Sequence, residues 1–156
     1  MHIARADLEI QREPFIRPFA FKGASFQEKW NLVVRLEDEA GRSAFGVGGL
    51  AVLWSDARVF AEHSEVGGNA LMVAVLERAL ALVRGEDFAG PQAMFRHVLP
   101  EVYSYAQAVT RRADLRPTFA LNALVALDNA AWVLSARQAG TTNMDDLLPP
   151  SYRDIL

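Results

Sequence analysis

The sequence predicts an α+β domain, a three-stranded antiparallel meander followed by a bundle of three to four helices. Three observations carry this expectation. Apolar and polar residues alternate with period two only within residues 1–48. From Gly67 onward the pattern is helical, and each apolar run is punctuated by Pro at its start or Gly at its end. Strands therefore precede helices instead of alternating with them, which separates α+β from α/β. A chain of 156 residues, 51% hydrophobic and 22% charged, suits one domain with a substantial core.

In HIARADLEI the apolar residues Ala4, Ala6, Leu8 and Ile10 alternate with Arg5, Asp7 and Glu9, a half-buried strand. Residues 12–29, REPFIRPFAFKGASFQEK, then read as a long aromatic loop, and a connection of that length in a compact domain points to function or mobility. WNLVVRLE sets Trp30, Leu32, Val34 and Leu36 on one face, and EDEAG supplies a hairpin turn. The second arm, RSAFGVG, alternates again, with Phe45 and Val47 on one face. Asn69 can cap a helix over ALMVAVLERALALVRG that stops at Gly85. Gly90-Pro91 opens another, which Pro100 divides or kinks. Pro117 opens a run of about 22 residues closed by Gly140. The last segment, residues 141–156, contains a Pro pair and little periodicity, and reads as a linker or tail.

Chemistry is sparse. GVGGLA, Gly46 to Ala51, matches a dinucleotide fingerprint in form, but that fingerprint works only inside a βαβ unit, so the glycines are better read as a bulge or strand exit. His97 with Glu101, and His63 between Glu62 and Glu65, have the spacing of two ligands on a helix face without a third. No HExxH, GxSxG or Walker pattern occurs, and no serine stands in a nucleophile elbow. No catalytic and no metal residue is assigned. The acid pairs Asp38-Glu39, Glu86-Asp87 and Asp145-Asp146 read as turn residues, and Arg111, Arg112 and Arg116 as cations at a helix end. Phe15, Phe19, Phe21 and Phe26, interleaved with Arg17 and Lys22, either plug the open face of the meander or face a substrate or partner.

The net charge of −3 gives no basic face, so neither nucleic acid nor a membrane is expected as partner. The absence of cysteine suits a cytoplasmic home, and MHIARADLEI lacks the charged and apolar blocks of a signal peptide. Residues 123–140, ALVALDNAAWVLSARQAG, read as apolar almost all round, yet the helix they belong to carries Asn122, Asp128, Asn129 and Ser135, a buried helix rather than a membrane span.

Taken together these residues resemble the N-terminal capping domain of the enolase superfamily, in the mandelate racemase and muconate lactonising branch. Three stretches carry the resemblance. Residues 3–49 match that opening of strand, proline-and-aromatic loop, strand ending in VRLE, acidic hairpin and strand ending in glycines. Ala126, Leu127, Asp128, Ala130, Ala131 and Trp132 match its ALD-x-A-aromatic helix, and DDLLPP stands where the family has LLGG before its barrel. The chain departs from the pattern at Val47, Val133 and Pro149-Pro150.

The resemblance implies residues 1–140 as an enolase N-terminal-like capping domain and 141–156 as a tail leading toward a (β/α) barrel that this chain does not include. It implies a parent isomerase or lyase that abstracts a proton alpha to a carboxylate. Its base and Mg²⁺ carboxylates would lie on the barrel, so this chain alone would be inactive and Mg²⁺ would be needed only with the barrel present. Residues 17–26 and 50–54 would reach over the barrel mouth, with Phe19, Phe21, Lys22 and Trp54 enclosing substrate. Asp128 would accept hydrogen bonds at the junction with the barrel, which would cover the apolar helix. The expected partners are the barrel or, through self-association, further copies in a homo-oligomer. The alternative is a stand-alone interaction or oligomerisation module without enzymatic activity.

Overall fold

The computed structural model describes residues 1–21, 23–148 and 150–153. Strands β1 (Arg5–Phe21), β2 (Ala24–Glu37) and β3 (Ser43–Gly49) form an antiparallel sheet in the order β1-β2-β3. Five helices follow, α1 (Val52–Ser55), α2 (Ala57–Val83), α3 (Pro91–Thr110), α4 (Pro117–Ala139) and α5 (Pro150–Arg153), with a 3₁₀ turn at Met144–Leu147. The α+β meander-and-helices architecture is the one the sequence predicts.

The expected aromatic loop is instead a β-hairpin. Residues 12–29 continue β1 and β2 far beyond the end of β3, which stops at Gly49 opposite Asn31. Pro14 and Pro18 signal a loop in the sequence, but β1 is an edge strand, where every other backbone nitrogen faces no neighbouring strand and proline can be accommodated. The ladder is interrupted once. Pro14 pairs with Glu28 and Phe19 with Phe26, so four residues of β1 bulge out opposite Gln27.

The inner face of the sheet carries Ala6, Leu32, Val34, Leu36 and Ala44, all buried. Phe45 and Val47 share a face as expected, but it is the outer one, and both are more than half exposed. The inner positions that alternate with them are Gly46 and Gly48. The reason is the approach of α4. A Cβ on Gly46 would lie 2.1 Å from the Ala126 carbonyl oxygen and 2.3 Å from Ala130 N, and one on Gly48 would lie 2.8 Å from Ala126 N. Glycine on the strand and alanine on the helix let the two backbones touch.

α4 thus has the sheet on one side and α2 and α3 on the other. Its apolar circumference is covered largely within the domain itself, leaving a narrow exposed line at Leu121, Val125 and Asn129. Three polar side chains of α4 bond to carbonyls of β3. Asn122 donates to Gly49 O at 3.0 Å, Asn129 to Val47 O at 3.0 Å, and Arg137 to Ser43 O. Asn122 and Asn129, which sit oddly in an apolar helix, satisfy a sheet edge. By length and composition α2 and α4 are both apolar enough to cross a membrane, and in this fold both are core helices.

Helix α2 starts twelve residues before the predicted cap, at Ala57, and Asn69 is buried inside it. A break at Ser64, with φ 64° and ψ 178°, separates the two halves. The predicted Gly85 stop holds, with φ 78°. α3 runs through Pro100 without dividing, the proline lying on its exposed side. α4 has its predicted bounds, Pro117 at the first turn and Gly140 at φ 70° beyond the last.

Candidate functional site

One end of the molecule gathers the segments singled out above. The hairpin extension projects past the last residue of β3, and there the chain leaves the sheet into α1. Leu50 N bonds to Trp30 O at 2.8 Å, tying the exit of β3 to the base of the extension.

Helix α1 is a short but firmly mounted platform. Asn122 Oδ1 accepts from Ala51 N at 3.0 Å and from Ser55 Oγ at 3.1 Å, and Thr118 Oγ1 donates to Ser55 O at 2.8 Å. Behind it, Gly68 of α2 allows close packing, because a Cβ there would meet Val52 Cγ2 at 2.5 Å. Val52, Leu53 and Ser55 are buried, whereas Trp54 remains 54% exposed. An indole displayed on a mount fixed by its neighbours is a preorganised apolar surface.

The next turn is fixed by Asp56. Its carboxylate accepts from Arg58 N at 3.0 Å, Arg116 N at 3.1 Å and the Arg58 guanidinium. Burial pushes this carboxyl up, but the Arg58 guanidinium and the two backbone N–H groups outweigh it and hold the carboxyl at about 2. Arg58 also pairs with Asp114, and Arg112 with Glu62. Of the arginines read at the helix end, Arg112 therefore works inside the domain, and with Arg58 it ties α2 to the α3–α4 connection. Glu62 and Glu101, weighed above as metal ligands beside His63 and His97, pair instead with Arg112 and Arg78. Among the described residues no group of three histidine or acidic side chains could hold a metal ion.

The extension is anchored to α2 midway along its β2 strand. The Phe26 ring lies 5.8 Å from Phe60 of α2 and 6.3 Å from Phe19. The buried Glu65 accepts from Gln27 N at 2.8 Å and from Glu28 N at 3.4 Å. Arg12 pairs with Glu28 at 2.6 Å, and its guanidinium carbon stacks 4.6 Å from the Trp30 ring centroid. On the β1 side of this anchor the bulge is open. Ile16 is fully exposed, Phe19 58% exposed, and Pro14, Phe15, Pro18 and Phe19 line an apolar concavity with it.

Of the four residues expected to enclose substrate, Phe19 and Trp54 are exposed at this end on separate elements, Phe21 is half-buried at the tip pair with Ala24, and Lys22 lies outside the described residues. Sequence reasoning missed the supports: Phe60, Glu65, Thr118, the role of Asn122 and the capping role of Asp56. The GVGGLA glycines do not cradle a phosphate, since α4 occupies the space beside Gly46 and Gly48.

Asp128 faces a different place. It is half-buried in an open cleft of about 370 Å³ with Gln92, Phe95, Arg96 and Trp132. Burial pushes its carboxyl up, partly offset by a hydrogen bond from the Trp132 side chain.

The sequence matches no family model and no curated protein. Solved structures do match the fold. A dipeptide epimerase from Enterococcus faecalis, crystallised with Mg and L-Leu-L-Tyr, superposes with a TM-score of 0.53 at 15% identity over 89% of this chain and 32% of its own. A mandelate racemase/muconate lactonizing enzyme-like protein from Rubrobacter xylanophilus gives 0.55 at 22% identity over 96% of this chain and 34% of its own. A racemase from Streptomyces coelicolor with bound magnesium gives 0.57 at 18% identity, over 88% and 32%. The fold is thus one found in enzymes of the mandelate racemase/muconate lactonizing type of the enolase superfamily. The chain spans about a third of the length of those proteins.

Proposed function

We propose that this chain is the capping domain of a Mg²⁺-dependent enzyme of the mandelate racemase/muconate lactonizing type, which closes over the substrate and helps to select it. The observation that carries the reading is the coincidence of a fold shared with a third of such enzymes and two exposed apolar elements on mounts, the hairpin extension held at Gln27 and Trp54 on the α1 helix held by Asn122. Phe19 and Trp54 exclude water from a reacting carboxylate and make no bond to it. The chemistry, abstraction of a proton alpha to a carboxylate, belongs to the rest of the polypeptide, which would also hold the Mg²⁺ that the neighbours carry.

The test uses the parent polypeptide and a panel of alpha-substituted carboxylates in D₂O. The reading expects Mg²⁺-dependent exchange of the alpha proton, none in this 156-residue chain alone, and a lower kcat/KM in Phe19→Ala and Trp54→Ala at unchanged Tm. Exchange by the isolated chain, or a parent with no Mg²⁺-dependent exchange, would overturn it.

A further inference from the structure

Two unusual features meet where the extension joins the helices. The first is backbone strain. Ser64 sits at φ 64° and ψ 178°, a conformation that glycine adopts freely and a side chain resists. It breaks α2 and starts a second half-helix at Glu65, with Ser64 Oγ accepting from Gly67 N at 3.4 Å as an N-cap would. The second is a buried carboxylate spent on strand backbone. Glu65 is 7% exposed and takes two successive N–H groups of β2, those of Gln27 and Glu28. Both are available because the ladder fails there. Gln27 has no partner on β1, Glu28 faces a proline, and four residues of β1 loop outward.

From this we infer that Ser64 and Glu65 form a catch for the hairpin extension, with Glu65 as its positioning residue. A helix continuing through residue 64 would not begin a new turn at Glu65; the break puts the carboxylate at the first position of a half-helix, where the helix dipole also favours its charge. The carboxylate then holds the extension through main-chain groups, so its grip is independent of the side chains displayed at Phe15, Ile16 and Phe19. The ring contact of Phe26 on Phe60 lies beside it as the second fastening. With the catch made, the extension stands in one position; with it broken, the ring contact of Phe26 on Phe60 alone joins the extension to the helices, and a two-stranded ribbon with so little support is marginal in water.

The idea that a docked extension covers substrate rests on the function proposed above, but the catch is tested without activity. Hydrogen exchange of the full chain is compared for the wild type, Glu65→Ala, Glu65→Gln, Ser64→Gly and Ser64→Val. Losing two hydrogen bonds to a charged acceptor should speed exchange across residues 12–30 about tenfold or more in Glu65→Ala. Residues 5–11 and 31–37 should stay protected, and Glu65→Gln, which keeps an acceptor oxygen, should fall between. Ser64→Gly, free to hold the same backbone, should keep the extension protected. Ser64→Val, which cannot hold it, should release the extension as Glu65→Ala does. Unchanged exchange in Glu65→Ala, equal loss over the whole sheet, or full protection in Ser64→Val would each overturn the inference.

Discussion

Replacing Gly46 by alanine tests the packing of α4 on the sheet. The added Cβ would lie 2.1 Å from Ala126 O and 2.3 Å from Ala130 N, where ordinary contact begins at 3.4 Å. Both obstacles are backbone, so no rotamer change relieves them, and α4 must retreat by more than 1 Å along the stretch that also meets Gly48. Overpacking of this kind costs about 3 kcal/mol or more, roughly 10 °C in Tm for a domain of this size. Gly48→Ala, 2.8 Å from Ala126 N, should cost less. Gly49→Ala is the control, because its nearest neighbour is the end of the flexible Lys29 side chain at 3.3 Å. It should be neutral or slightly stabilising, through the restricted unfolded chain. Urea and thermal unfolding of the three variants measure the order directly. If Gly46→Ala unfolded within about 0.5 kcal/mol of Gly49→Ala, α4 would not lie where described.

Three further outcomes follow from particular bonds. Asn122→Ala strands Ala51 N, Ser55 Oγ and Gly49 O, and should cost about 2–4 kcal/mol and increase quenching of Trp54 by acrylamide; unchanged stability and quenching would remove Asn122 as the mount of α1. Asp38 is buried, which pushes its carboxyl up, but Arg42, Gln138 and the Arg42 N–H bring it down to about 2, as Asp56 is brought down. A lowered folded pKa adds stability that is complete above the unfolded value near 3.8 and lost as pH falls toward 2. Acid titrations of stability should therefore show a fall in that window that is shallower in Asp38→Asn and Asp56→Asn. Asp128 has the opposite sign: burial raises its carboxyl, so its charge opposes folding at neutral pH, and Asp128→Asn should raise Tm at pH 7. A lower Tm would mean that the Trp132 bond matters more than the burial.

The sheet, the α4 bounds and the Gly85 stop are legible because period, proline and glycine act locally there. The extension is not, since Pro14 and Pro18 end a strand only when their missing N–H groups face a neighbour, and edge position is a tertiary fact. GVGG is ambiguous for a like reason. Gly46 and Gly48 answer to Ala126 and Ala130, eighty residues away, and nothing near them in sequence says so. At the candidate site the displayed residues Phe19 and Trp54 could be picked out as aromatics without an obvious core place, whereas Asn122, Thr118 and Glu65 could not. Their work is to satisfy backbone groups of other elements. A signal did exist at Glu65, in a serine and an acid just before a glycine pair, SEVGG, which is the start of a half-helix hidden inside a longer one.

Whether this domain is one part of a longer enzyme, as proposed, is decided by the intact mass of the polypeptide as its source makes it. The mass expected is close to three times the 17.2 kDa of this chain, the excess corresponding to the two thirds of the neighbours that it does not span. A native polypeptide of 17.2 kDa would contradict it, and the apolar extension would then need a partner other than a barrel on the same chain.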